Sequence, residues 1–153
     1  MITQPSMSRL LDAIKAELTD KIIPGLTDPT LIVNVQMMTA VLGALSVRVE
    51  HELAWMRDEC DRIEAAAART LADGTDAPAV AEALAAYRAE RTESLLVSAA
   101  QADYERAGEL LSRLAEAAYA GGNPDRIATV EGLFAARLAV EQQAIGTFVA
   151  VGR

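Results

Sequence analysis

The densest polar and aromatic cluster is Arg48-Val49-Glu50-His51-Glu52-Leu53-Ala54-Trp55, which holds the only histidine and the only tryptophan of this 153-residue chain. Asn34, Met37, Val41, Ala44, Arg48, His51 and Trp55 recur every three or four residues and so share one face of a helix. On that face Arg48 has the fork geometry to hold a carboxylate or phosphate, and Trp55 has the area to anchor a partner. The same residues admit a plainer arrangement: an Arg48–Glu52 i,i+4 ion pair, with Trp55 covering the rim of a bundle. Glu141 interrupts an apolar run together with Gln142 and Gln143. Facing inward it needs a partner such as Arg48 or Arg106; otherwise it sits on the rim. Asn34, Met37, Arg48, His51, Trp55 and Glu141 are therefore the expected partner- or ligand-binding residues, with no catalytic residue and no metal ligand assigned.

Much chemistry is excluded by composition. Glu50 and Glu52 flank His51 but diverge from it by about 100°, so neither chelates beside it. No second imidazole exists for a metal site or a paired Glu-x-x-His centre. Cys60 lies on an apolar stripe and reads as a buried small hydrophobe. Met37, Met38 and Met56 read as core filler. Gly108, Gly132 and Gly146 fall inside helices, where close helix crossing is the expected reason. No phosphate loop, dinucleotide fingerprint or nucleophile elbow occurs, so no cofactor is expected. A net charge of −8 argues against nucleic acid and anionic lipid. The N-terminal residues lack a secretory signal, and no stretch is read as spanning a bilayer, which makes the cytoplasm the expected location.

These residues must be positioned by helices. Pro24-Gly25 and Asp28-Pro29, Asp73-Gly74-Thr75-Asp76, and Gly121-Gly122-Asn123-Pro124 are the breaks; every segment between them carries helical periodicity, and no alternating run suggests a sheet. The spacing predicts helix 1 over Met7–Ile23, with Ser6 as N-cap and Leu10, Leu11, Ile14, Leu18 and Ile22 on one face. Helix 2 follows over Thr30–Ala72, with a stripe from Leu31, Val35, Met38, Leu42, Leu45 and Val49 to Met56, Cys60, Ile63 and Leu71. Helix 3 is expected unbroken over Pro78–Ala120, its stripe poorest from Arg88 to Glu93. The last helix opens with Asn123 as N-cap and Pro124 at the first position, its core face running through Phe134 and Leu138 to Ile145 and Phe148.

The expected fold is all-α and forms a single domain: an antiparallel four-helix bundle from about 7–56 and 94–151. Its two long central helices extend as a projecting helical hairpin, an alanine-rich arm over about 57–93. So lean an arm is expected to gain stability from a partner. A homodimer is the default, through the arm's alanine seam or the Trp55 face.

The first third carries a resemblance. Leu10-Leu11-Asp12-Ala13-Ile14-Lys15-Ala16-Glu17-Leu18, then Ile22-Ile23-Pro24-Gly25-Leu26, then Asn34-Val35-Gln36 through Ala44-Leu45 to Glu50-His51-Glu52-Leu53, resembles a family of small helical bacterial proteins. These are of unassigned function, encoded beside acyl-CoA dehydrogenases and aminoglycoside-phosphotransferase-like kinases. The family's Arg-Glu-Leu ending stands here with His51 in place of the arginine. The resemblance covers about Met7–Met56. It implies a non-catalytic accessory subunit supporting an acyl-CoA-pathway kinase or dehydrogenase. Two other functions compete: a small-molecule-binding bundle with its ligand near Met37, Met38, Trp55, Tyr104 and Phe134, and an enzyme using Arg48, His51 and Glu141.

Overall fold

The computed structural model describes residues 4–74 and 76–145, without the Ile145 side chain. Thr75, Gly146 and Phe148, used in the expectations above, lie outside the described residues, as does the side chain of Ile145. The described chain is all-helical and contains no strand. Its α-helices are α1 (Met7–Glu17), α2 (Pro29–Ala72), α3 (Pro78–Glu90), α4 (Val97–Gly121) and α5 (Pro124–Ile145).

Local chemistry sets most boundaries. The Ser6 hydroxyl accepts from the Arg9 amide at the start of α1, and the Asn123 side chain accepts from the Asp125 and Arg126 amides at the start of α5. Gly122, at φ 63°, closes α4 in the left-handed region open to glycine. Helix 1 does not continue as α-helix to Ile23. After Glu17 it widens into a π-turn over Leu18–Ile22 and ends in a 3-10 turn over Ile23–Gly25. Pro24 offers no N–H to the preceding turn, and the ladder loosens ahead of it.

The chain divides into two compact units: Met1–Glu52 with Glu141–Arg153, and Leu53–Val140. The second contains the hydrophobic core. Cys60, Ile63, Ala66 and Ala67 from α2, and Val80, Leu84 and Tyr87 from α3, pack with Ala107, Leu110, Leu111, Leu114 and Ala118 of α4 and Val130 of α5. Residues 57–93 are therefore not a lean projecting arm. Ala66, Ala67 and Ala77 are buried within the unit, whereas Ala65, Ala81, Ala85, Ala86 and Ala89 are exposed. The Glu64 carboxylate takes Arg88 and Arg91 at 2.7 Å each, so α3 runs back along the end of α2.

The largest departure from expectation is the interruption of helix 3. Residues Arg91–Leu96 leave the helix, and α4 turns back beside α3, with Arg106 Nε 2.7 Å from Glu90. The cause is a polar clasp. Asp103, 0% exposed, accepts from the Thr92 amide at 3.2 Å and hydroxyl at 3.3 Å. Arg57 donates to the same carboxylate at 2.7 Å and to the carbonyls of Thr92 and Ser94 at 2.8 and 2.5 Å. Groups freed from the helical ladder are thus satisfied by side chains, as buried backbone requires.

Two consequences are measurable. Asp103→Ala leaves Arg57 without its carboxylate and the linker amide without its acceptor, and is expected to cost about 3 kcal/mol in urea unfolding. Gly108 and Gly132, expected at close crossings, have nothing within 4 Å of an added Cβ. Gly108→Ala is therefore expected to raise stability by about 0.5–1 kcal/mol, read as a higher urea midpoint with an unchanged slope.

Candidate interaction surface

The first unit has an unusual interior. Ser8 and Ser46 are the buried residues among its described side chains. The Ser8 hydroxyl donates to Glu50 at 2.6 Å, the Ser46 hydroxyl to the Ser8 carbonyl at 3.4 Å, and Lys15 lies over Gly43. Ser8 against Ser46 and Glu50, then Lys15 against Gly43, makes α1 antiparallel to the first half of α2. The seam is small and polar, which allows close approach but buries little apolar area.

Much of the unit's apolar side-chain surface consequently faces outward, with Leu11, Val35 and Leu42 half-buried. Leu31, Met37, Met38, Val41, Leu45 and Val49 of α2 are exposed, as are Met7, Leu10 and Ile14 of α1. The stripe expected as core is buried only from Met56 onward. Met37 and Met38 are not core filler, whereas Met56 is buried. Contiguous exposed apolar surface on this scale marks a contact site. From Pro29 to Val47, α2 carries no charged residue, and it is long and apolar enough to cross a membrane by length and composition. That corrects the expectation that no stretch qualifies.

The expected site residues fall on α2 and, for Glu141, on α5. Asn34, Met37, Arg48 and His51 are exposed on α2, and Trp55 is half-buried two turns beyond Arg48. Arg48 pairs with Glu52. Glu141 is exposed rather than inward-facing, and Arg106 is engaged by Glu90 and Asp103. Arg48, His51 and Glu141 are thus surface residues, not members of a buried catalytic cleft.

The buried carboxylates are others. Besides Asp103, Glu59 accepts from Arg137 Nε at 2.6 Å and from the Tyr104 hydroxyl at 3.2 Å, with Arg137 stacked over the Tyr104 ring at 5.4 Å. Their signal lay in the sequence: Asp103 falls in step with Ala100, Ala107 and Leu110, and Glu59 beside Met56, Cys60 and Ile63. Both are fully paired inside the fold, which is a structural use. Among the described residues no cluster of histidine, cysteine and carboxylate side chains forms a metal site. An open depression of about 150 Å³ between α3 and α4 is lined by Ala83, Ala86, Tyr87, Glu90, Arg106, Glu109 and Leu110. It is well below the roughly 300 Å³ at which ligand pockets begin.

Cys60 is buried against the Tyr87 hydroxyl. Burial pushes the thiol above its ordinary 9.0, with the hydroxyl pulling the other way. Burial likewise raises the Tyr87 phenol well above its ordinary 10.0, and the neighbouring thiolate adds to the shift. Such a cysteine is a packed hydrophobe, not a nucleophile.

Comparison with protein-family models, characterised proteins and solved structures finds no match to this chain.

Cys60 and Tyr87 generate a pH prediction. Both hold their protons more tightly folded than unfolded. Their contribution to stability is complete below their ordinary pKa values and is lost as pH rises above them. The urea midpoint is expected to fall progressively from about pH 9 upward. The double variant Cys60→Ala/Tyr87→Phe should flatten that decline.

Proposed function

We propose that this chain is a non-catalytic interaction subunit whose working surface is the outward apolar face of α1 and the first half of α2. One observation carries the reading. Among its described residues the first unit fully buries only two serines, while Leu10, Ile14, Leu31, Met37, Met38, Val41, Leu45 and Val49 face solvent and Leu11, Val35 and Leu42 are only half-buried. A helix pair that fully buries no apolar side chain lacks the second layer that a stable domain requires. The expected four-helix bundle is, on this reading, completed on binding, α1 and α2 supplying two of its helices. Arg48, His51 and Asn34 then form the polar margin of the contact, and the paired Arg48–Glu52 supplies orientation more than affinity.

The partner's class comes from the resemblance of residues Met7–Met56: a kinase or dehydrogenase acting in acyl-CoA metabolism, in the cytoplasm. The accessory subunit stabilises or completes it without supplying a reacting group.

The test is recovery of the tagged full chain from its native host. A kinase or acyl-CoA dehydrogenase should co-purify in stoichiometric amount, and Val41→Asp should reduce its recovery about tenfold or more. Because Val41 is 52% exposed, that variant should keep the parent's helical circular dichroism and urea midpoint. Recovery without such a partner, or with one indifferent to Val41→Asp, overturns the reading.

A further inference from the structure

We infer that the first unit pairs with a second copy of itself, α2 against α2 in antiparallel register about Met38, two α1–α2 hairpins thereby closing one four-helix core. This rests on the interaction-subunit reading: the second copy takes the Leu31–Met38–Leu45 ridge and leaves the Val41 flank to the enzyme partner.

The register follows from spacing. Leu31, Met38 and Leu45 are 48%, 58% and 41% exposed and stand seven residues apart. At 100° per residue the three fall within an arc of about 40°, forming the central ridge of the face, with Val49 continuing it and Val41 flanking it. The side of α2 holding Ser46 is already taken by α1. A two-fold axis beside Met38 sets Met38 against its own copy and Leu31 against Leu45 of the second copy at both ends. One ridge is then its own complement, as an isologous interface demands. The seven-residue step also matches the seam of helices packed at shallow angles.

Charge selects the direction. The uncharged run is bounded by Asp28 at one end and Arg48 at the other. Antiparallel copies oppose their helix dipoles and set Asp28 level with Arg48, which its own Glu52 already partly neutralises, whereas parallel copies bring like to like. The run itself can be desolvated without burying a charge, so the net −8 of each chain need not oppose contact along the ridge. Met7, Leu10 and Ile14 of α1, all exposed, supply the outer pair of apolar faces. A lipid bilayer fits less well. Lys15 lies over Gly43, inside the same run and four residues from its end, so a span there would have to hold its ammonium near the hydrocarbon boundary.

The test uses the full chain. Sedimentation equilibrium should show a dimer, and Met38→Glu should weaken it about tenfold or more, because the axis brings two carboxylates together. Circular dichroism should be unchanged, since Met38 is exposed. Under mild oxidation Met38→Cys should crosslink to itself. Leu31→Cys and Leu45→Cys should form a mixed disulfide when combined and little when alone. Native Cys60, 1% exposed, stays silent in this assay. A chain monomeric at every concentration reached, a Leu31→Cys self-disulfide, or a dimer indifferent to Met38→Glu overturns the pairing. So does a monomer that binds phosphatidylcholine–phosphatidylglycerol vesicles through the same ridge. A monomer that still retains a kinase or dehydrogenase sensitive to Val41→Asp fails this inference and leaves the proposed function standing. A dimer with no such partner does the reverse.

Discussion

A buried carboxylate has to be paired, and in the second unit the way Asp103 is paired determines the path of the chain. Its two oxygens take Arg57, the Thr92 amide and hydroxyl, and Arg106. The same Arg57 holds the carbonyls of Thr92 and Ser94. One guanidinium and one carboxylate thereby satisfy backbone groups that an unbroken helix would have satisfied in its own ladder. The reversal between α3 and α4 becomes affordable, and only because of it can Tyr87 and Leu84 lie against Leu110 and Leu111. A charged pair is doing the topological work here; apolar burial then makes the topology stable.

The two units divide these tasks differently. The second encloses its own core and pairs its buried carboxylates internally, down to the Glu59–Arg137–Tyr104 group. The first has hydrogen bonds in its seam and hydrocarbon on its surface. The seam's hydrogen bonds, from Ser8 to the Glu50 carboxylate and from Ser46 to the Ser8 carbonyl, exchange for bonds to water at small net gain, so the seam gives α1 and α2 a register without giving the pair much stability. Apolar area is what would stabilise it, and that area points outward. Under the proposed function, the hairpin is pre-shaped for a contact whose free energy is still to be gained.

Helical periodicity is local, and what is local was legible. The start of α2, the caps at Ser6 and Asn123, the all-α class and the burial of Cys60 all follow from neighbours within a few residues. The interruption at Arg91–Leu96 was visible only as a weak stretch of the stripe from Arg88 to Glu93. What converts weakness into a turn is Arg57, more than thirty residues earlier, and Asp103 beyond. No periodicity encodes a meeting of that kind. The stripe on α2 failed in a different way. Spacing identifies which face of a helix is apolar, but not what covers it, so one continuous line from Leu31 to Leu71 reads as core throughout. The structure covers it only from Met56. Likewise the polar face of Asn34, Arg48 and His51 was legible as a shared face, while Glu141 on a different helix had no local pattern to tie it there.

That discontinuity bears on why α2 is a single rod. An isolated helix is held by tertiary packing on its apolar face more than by propensity, and only the second half of α2 has such packing. The first half inherits its order from continuity with a buried segment and from the serine seam along α1. Propagating an existing helix costs far less than nucleating a new one, so a half-anchored rod can carry an apolar ridge into solvent already ordered. Under the proposed function, binding to that ridge would spend little on ordering the helix itself, and more of the contact's free energy would appear as affinity.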